Sequence, residues 1–390
     1  MDLFSSLNNQ FLKLPKRIKL FEAFSGIGTQ AMALKRIGFE VDHVGISEID
    51  SHAIISYASI HSDLLTKLKE REALQTSVKQ NEILDIANEL SKNYGDISKM
   101  KDIPYCDIFT WSFPCTDLSK AGKQKGLNGT RSGLAYEVIR LLKNTDNKPK
   151  VLLMENVPDL LSSKFRDGWH EIYNEIESLG YTNYVEVLNA KYYGIPQNRV
   201  RVFMISILGN YNYDYPKPKR ARLKLNHLLE KDVDEKYFLT EEHMKKISAW
   251  NSNQKPLENI LDGETDISPT ITARGAGENH SGMILIREAT KLGYAVAEDG
   301  DGVCLDRPHH KRGVVQKSMI QTIKTSGSDV GVVQNNRVRR ITPLESWRLM
   351  GINDNDFLNA QNVCSNSQLY KQAGNAIVVD VLAAIFKQLQ

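Results

Sequence analysis

Short apolar runs alternate with helix-period segments through the first 207 residues. "IKLFEAF" (18–24) reads as a buried strand, and "TQAMALKRIG" (29–38) has apolar residues at helical spacing and stops at Gly38. "FEVDHVGIS" (39–47) is a second strand and "SHAIISYASIH" (51–61) a second helix. Residues 62 to about 94 are charged, read as helical, and look inserted. "DIFTWSF" (107–113) and "VLLMENV" (151–157) are further strands, with helical "LAYEVIRLLKN" (134–144) between them. Amphipathic "DGWHEIYNEIESLG" (167–180) leads to the strands "YVEVLNA" and "RVRVFMISI". This order predicts an α/β fold: a mostly parallel, doubly wound, Rossmann-like sheet with helices on both faces.

After Ile207 the pattern breaks. "YNYDYPKPK" has the composition of a linker, and residues 215–336 mix short strand-like pieces with Gly/Ser turns. Only "EEHMKKISAW" (241–250) has helical period there. Two pieces echo each other, "SPTITARGAGENHSGMIL" and "IQTIKTSGSDVGVV". Helices return from "RRITPLE" to the final "AIVVDVLAAIFKQL" (376–389). The expected division is 1–214, a smaller, mainly β or irregular 215–336, and a return segment 337–390 whose last helix completes the first domain.

Composition narrows the classes. With 41% hydrophobic and 25% charged residues, a packed core is expected and wholesale disorder is not. A net charge of +3 is too small to establish a polyanion partner. Basic clusters at 217–224, 307–312 and 337–340 nevertheless gather in the C-terminal half, where they favour a nucleic-acid surface over scattered solvated loops. The four cysteines form no C-x-x-C pair, so neither a zinc site nor a disulfide framework is expected. No apolar run reads as a membrane span, and the N-terminus lacks a signal-peptide core, so a cytoplasmic protein without a membrane partner is expected.

The chemistry-bearing residues sit at strand exits. In "FEAFSGIG", Gly26 and Gly28 let backbone approach a ligand at the carboxyl edge of the sheet. Glu48, after the second strand, can accept hydrogen bonds from ribose hydroxyls. The third glycine of a dinucleotide signature is missing, since Ala31 stands there, which favours a nucleoside cofactor without a pyrophosphate. Cys115 follows Pro114 just past an apolar run; such a position is more often structural, but it also suits a thiolate nucleophile. Glu155 and Asn156 end the apolar "VLLM" run, where desolvation raises a carboxyl pKa, and Asn156 could alternatively cap the next helix. Gln197, Arg199 and Arg201 alternate, so on one strand they would share a face and need an anion or carbonyl partner.

Taken in order, the motifs resemble the cytosine-C5 DNA methyltransferases of bacterial and phage type. They are Phe24–Gly28, Glu48, Gly-Asp-Ile at 95–97, Pro-Cys at 114–115, Glu-Asn-Val at 155–157, Gln-x-Arg-x-Arg at 197–201, "RITPLE" at 340–345 and Gly-Asn-Ala at 374–376. The resemblance covers about 18–207 and 337–390 and implies methyl transfer from S-adenosylmethionine to C5 of a flipped-out cytosine in duplex DNA. It implies Cys115 as the nucleophile at C6 and Glu155 as the proton donor at N3, with Asn156 at the base edge, Arg199 and Arg201 at the O2 carbonyl and the loop, and Pro114 and Gln197 in support. Phe24, Gly26, Ile27 and Gly28 would line the cofactor, Glu48 its ribose, Asp96 and Ile97 its adenine with Ile49 where the family's stacking aromatic stands, and Asn375 and Ala376 its methionine end. No metal is implied.

Residues 215–336 stand where the family carries target recognition. Two Thr-Ile doublets, Thr322-Ile323 and Thr270-Ile271, match the family's doublet, and the first has the more usual spacing. The sequence departs from the family at Thr116, commonly Gln, at Ile49, commonly aromatic, and at Glu22, often Asp. A monomer is expected, with a cognate restriction endonuclease as a partner in function rather than in contact. Competing readings are methylation of a structured RNA, against which the long basic variable region argues, and an idle DNA-binding module, against which the intact Cys115 and Glu155 argue.

Overall fold

β1 (Arg17–Ala23) occupies the middle of a six-stranded sheet because its apolar residues are buried on both faces. In this computed structural model residues 10–73, 79–114, 133–219, 223–248, 283–306 and 313–390 are described. The chain continues through α1 (Thr29–Arg36), β2 (Glu40–Ser47), α2 (Ser51–His61), α3 (Leu64–Ala73), α4 (Gln80–Ser91), β3 (Ile108–Trp111), α5 (Leu134–Asn144), β4 (Val151–Asn156), α6 (Arg166–Ser178), β5 (Tyr181–Asn189), β6 (Gln197–Asn198) and β7 (Val200–Leu208). The sheet order is β2-β1-β3-β4-β7-β5. β2, β1, β3 and β4 run parallel, and β7 alone is reversed against both β4 and β5. The reversal follows from the connection: no helix separates β5 from β7 beyond a single 3-10 turn, so the chain returns as a hairpin-like pair rather than a crossover.

Neighbouring residues along each central strand feed opposite cores. Leu20, Ile108, Leu153 and Ile205 join the core with α1, while Phe21, Phe109, Leu152 and Met204 join the core with α5 and α6. The period-2 alternation of a strand therefore divides one apolar run between two layers. The inserted segment is helical as expected: Leu64 of α3 and Ala87 of α4 pack on Ile54, Ile55 and Ala58 of α2. Asp50 starts α2 by accepting the His52 and Ala53 amides.

The smaller region holds α7 (Glu241–Ile247), the hairpin β8 (Met283–Arg287) and β9 (Tyr294–Glu298), then β10 (Gly302–Cys304), β11 (Val315–Gln316), β12 (Ile320–Gln321), β13 (Val330–Gln334) and β14 (Arg337–Arg340). β11-β10-β13-β14 form an antiparallel sheet with its own small core. The β13–β14 hairpin crosses residue 336. Its turn residues Asn335 and Asn336 both have positive φ, and their amides donate to Asp299.

The return segment supplies α8 (Pro343–Arg348), α9 (Asp354–Gln361), α10 (Asn366–Asn375) and α11 (Val379–Phe386). α11 packs on α1 rather than directly along β1, and its apolar residues join the core that includes Ile18 and Leu20. Asn366–Leu389 has the length and composition of a membrane span, a test that a buried core helix also passes. It breaks into two helices at 376–378, and 61% of its apolar window is buried in the core.

One ion pair joins β14 to α8. Arg339 and Glu345 are both fully buried, with guanidinium-to-carboxylate distances of 2.8 and 2.7 Å. Glu345 also accepts the Thr342 and Glu230 amides, each at 2.8 Å, so both its oxygens are fully used. Thr342 completes a capping box with Glu345, and Pro343 opens the helix. Arg339→Met should cost about 3–5 kcal/mol by leaving a buried carboxylate without its cation. Adding Glu345→Gln should restore part of that loss. Denaturant unfolding of both variants checks this, and a single variant as stable as the parent would contradict it.

Candidate active site

β3 and β4 leave the sheet side by side, with Trp111 opposite Met154. All four residues of β3 and all six of β4 are buried, so the chain turns polar only at the exits. There Asn156 donates from Nδ2 to the Phe113 carbonyl at 3.1 Å and accepts the Val157 amide at 2.9 Å. Both ends of this amide are thus committed to backbone, which straps the β3 exit to β4. Pro114 follows, half-buried. Cys115 and Thr116 lie outside the described residues. Glu155 is buried and meets Arg201 Nε at 3.1 Å. Burial pushes its carboxyl above the usual range, and the guanidiniums of Arg201 and Arg199 offset part of that push.

The alternating Gln197, Arg199 and Arg201 do not share one strand. β6 ends at Asn198, and the Arg199 amide turns back to the Gln197 carbonyl at 3.0 Å before β7 begins. The break divides the set. Gln197 is fully buried, donating to the Leu349 carbonyl at 2.8 Å and accepting the Ile323 amide at 3.4 Å. Arg199 donates to the carbonyls of Ile323 (3.2 Å), Gly374 (2.9 Å) and Ala376 (2.9 Å). Only Arg201 turns to Glu155. Sequence spacing suggested a shared face, and the kink overrides it.

Thr322 and Ile323 are part of this assembly. Thr322 Oγ1 donates to the Asn198 carbonyl at 2.6 Å, and Ile323 is buried. The following loop lies on α10 without spare room. A Cβ on Gly374 would stand 2.5 Å from Lys324 C and Thr325 N, and one on Gly327 would strike the Tyr370 ring. Thr270 and Ile271 lie outside the described residues. Sequence reasoning missed Asn198, Gly327 and Tyr370, whose only signal was their nearness to motifs in a chain not yet folded.

On the other side of the sheet edge, Phe24 and the two glycines have positive φ and form the β1–α1 turn. Gly26 faces open space, while Gly28 rests against Tyr57 and His61 of α2. Ile27 is buried in the core. Glu48 accepts the Gly26 amide at 2.9 Å, Ile49 at 2.8 Å and Asp50 at 2.9 Å. A carboxylate has about four acceptor positions, which leaves one for a ligand hydroxyl. Ile49 is 75% exposed beside it. Asp96 accepts the Ser98 amide and hydroxyl, Ile97 is buried, Asn375 is exposed, and Ala376 is buried with its carbonyl on Arg199. The turn, the free acceptor and an exposed apolar side chain fit an adenosyl ligand.

Of the basic clusters, 337–340 is only partly a surface. Arg339 is internal and Arg337 pairs with Glu235. Residues 220–222 and 307–312 lie outside the described set. Among the described residues, no group of His, Cys, Asp and Glu could hold a metal.

The model of the C-5 cytosine-specific DNA methylases matches residues 18–390. The type II methyltransferase M2.ScrFI of Lactococcus lactis subsp. cremoris is 35% identical, over 95% of this chain and 99% of that protein. The orphan methyltransferase M.SPBetaI of Bacillus phage SPbeta is 28% identical, over 96% and 97%. Among solved structures, the S. pombe Dnmt2 methyltransferase shares the fold with a TM-score of 0.60 at 17% identity, over 96% of this chain and 98% of that one. The strand-exit carboxylate, the glycine turn and a match over nearly the whole length agree: the chain belongs to the C-5 cytosine-specific DNA methylases, enzymes that methylate cytosine in DNA.

Proposed function

We propose that the protein transfers a methyl group from S-adenosylmethionine to C5 of a cytosine flipped out of a specific duplex sequence, through a covalent bond from Cys115 to C6. The observation that carries this reading is the strapped pair of strand exits. Asn156 fixes the Phe113 carbonyl two residues before Cys115, and on the same strand Glu155 is desolvated beside Arg201. In duplex DNA the C6 atom is stacked away from solvent, so the base must leave the helix at a cost of a few kcal/mol.

The Cys115 thiolate adds to C6 while Glu155 gives its proton to N3, which makes C5 an enamine carbon able to take a methyl group. When bound, S-adenosylmethionine supplies that methyl on a sulfonium sulfur. Water then takes the C5 proton, which re-forms the C5–C6 double bond and expels the Cys115 thiolate, and N3 returns its proton to Glu155. Arg201 lies near the O2 edge of the base, whereas Gln197 and Arg199 act by positioning Ile323 and the end of α10. Asn156 acts likewise on the approach to Cys115. Phe24, Gly26, Ile27, Gly28, Glu48, Ile49, Asp96, Ile97, Asn375 and Ala376 surround the cofactor. Residues 215–336 read the DNA, with Thr322-Ile323 as the doublet. The enzyme works as a cytoplasmic monomer, and a restriction endonuclease with the same site need not touch it.

With labelled cofactor and duplex DNA, Cys115→Ala should abolish transfer, and a retained rate would remove Cys115 as nucleophile. Glu155→Gln keeps the shape but loses the proton and should lower kcat by about 10²–10⁴-fold. Arg201→Met removes the larger of the two cationic influences that hold the Glu155 carboxyl down. Since a proton donor works only below its pKa, the alkaline limb of kcat/KM should move to higher pH in this variant. An unmoved limb would argue that Glu155 is not the acid.

A further inference from the structure

Beneath the Phe24–Gly28 turn lies a buried group of ionisable side chains that the transfer steps do not use. Glu22 of β1 is 1% exposed. Its Oε1 accepts the Ala31 amide in the first turn of α1 at 3.3 Å, and its Oε2 accepts the Tyr57 hydroxyl at 2.6 Å. Tyr57 Oη also lies 2.7 Å from Nδ1 of His43 on β2. His61, one turn beyond Tyr57 on α2, meets the Ile27 carbonyl through Nε2 at 3.1 Å and Lys35 Nζ through Nδ1 at 3.4 Å. Gly28 closes the arrangement: a Cβ there would stand 2.6 Å from Tyr57 Cε2 and nearer still to His61.

The proton inventory fixes the directions. An ammonium only donates, so His61 Nδ1 accepts from Lys35 and its Nε2–H donates to Ile27. Tyr57 has a single hydroxyl proton. With Glu22 ionised, that proton points to Glu22, and His43 must donate from Nδ1. With Glu22 protonated, the carboxyl donates to Tyr57, Tyr57 donates to His43, and His43 carries its proton on Nε2. The heavy atoms need not move. The Glu22–Ala31 bond, however, loses its charge assistance, and the first turn of α1 loses a nearby anion.

We propose that Glu22, through Ala31 and Tyr57, and His61, through Ile27, are positioning residues that hold the cofactor turn, and that proton uptake at Glu22 loosens it. The proposal rests on S-adenosylmethionine as the donor. Burial raises the Glu22 carboxyl to about 7, against the Tyr57 and Ala31 hydrogen bonds and Lys35. Burial, then Lys35 and Lys92, hold His43 neutral at about 4, with Asp42 opposing. Burial, then Lys35 and His43, lower His61, and burial raises Tyr57. Lys35 is lowered by burial, with Glu22 and Asp356 of α9 opposing.

The test is calorimetric binding of S-adenosylhomocysteine to the full chain, without DNA, from about pH 5.5 to 8.5. Wild-type affinity should tighten roughly fivefold as pH rises through Glu22's titration. Glu22→Gln should hold the weak acid-side value at every pH. Tyr57→Phe removes a donor that favours the ionised form and should move the midpoint to higher pH. A flat wild-type profile, or a wild-type profile in Glu22→Gln, overturns the proposal. If Glu22→Gln does not fold, the Tyr57→Phe midpoint decides, and an unmoved midpoint overturns it. A wild type that binds at no pH instead overturns the donor reading, and this proposal with it.

Discussion

Arg199 is the point at which three distant parts of the chain become one site. Its buried guanidinium reaches carbonyls at 323, 374 and 376 from a kink between β6 and β7. A buried cation must find acceptors, and the rigid fork of arginine can address several at fixed angles. The demand for acceptors therefore selects an arrangement: the Thr322 loop and the end of α10 must arrive together, at the start of the strand that carries Arg201 to Glu155 of β4. Glycines at 327 and 374 make the approach sterically feasible. Removing any one participant leaves polar groups buried without partners, so the fold around the site assembles as a unit.

Two carboxyls on strands of one sheet, β1 and β4, show how surroundings divide roles. Glu22 and Glu155 are both buried, and burial raises both. Glu22 ends in a closed set of neutral donors beneath a turn. Glu155 stands at a strand exit against the Arg201 guanidinium. The same desolvation therefore acts on a carboxyl held by neutral donors in one place and on a carboxyl paired with a cation in the other.

Much of this was legible from residue order. The apolar runs ending at Phe113 and at Met154 marked adjacent strands, and Glu155 at the end of its run marked a desolvated acid. Local pattern sufficed there because burial on both faces and a strand exit are local properties. Other features depend on contacts far apart in sequence. Nothing near Asn156 announces that its amide straps Phe113. The spacing of Gln197, Arg199 and Arg201 is strand-like, yet a kink aims Arg199 and Arg201 at different partners. "RVRR" resembles a surface cluster, yet Arg339 is wholly internal because Glu345 comes six residues later. The reversed β7 was hidden too, since periodicity gives no strand direction. Cys115, read as a nucleophile from its motif, lies outside the described residues.

The packing of α11 on α1 has a consequence for synthesis. α1 begins at the Phe24–Gly28 turn, and its partner α11 is translated only after the whole sheet and the smaller region. A nascent polypeptide thus carries an incomplete apolar layer until residue 386 has cleared the ribosome, and it depends on that late arrival to seal the layer.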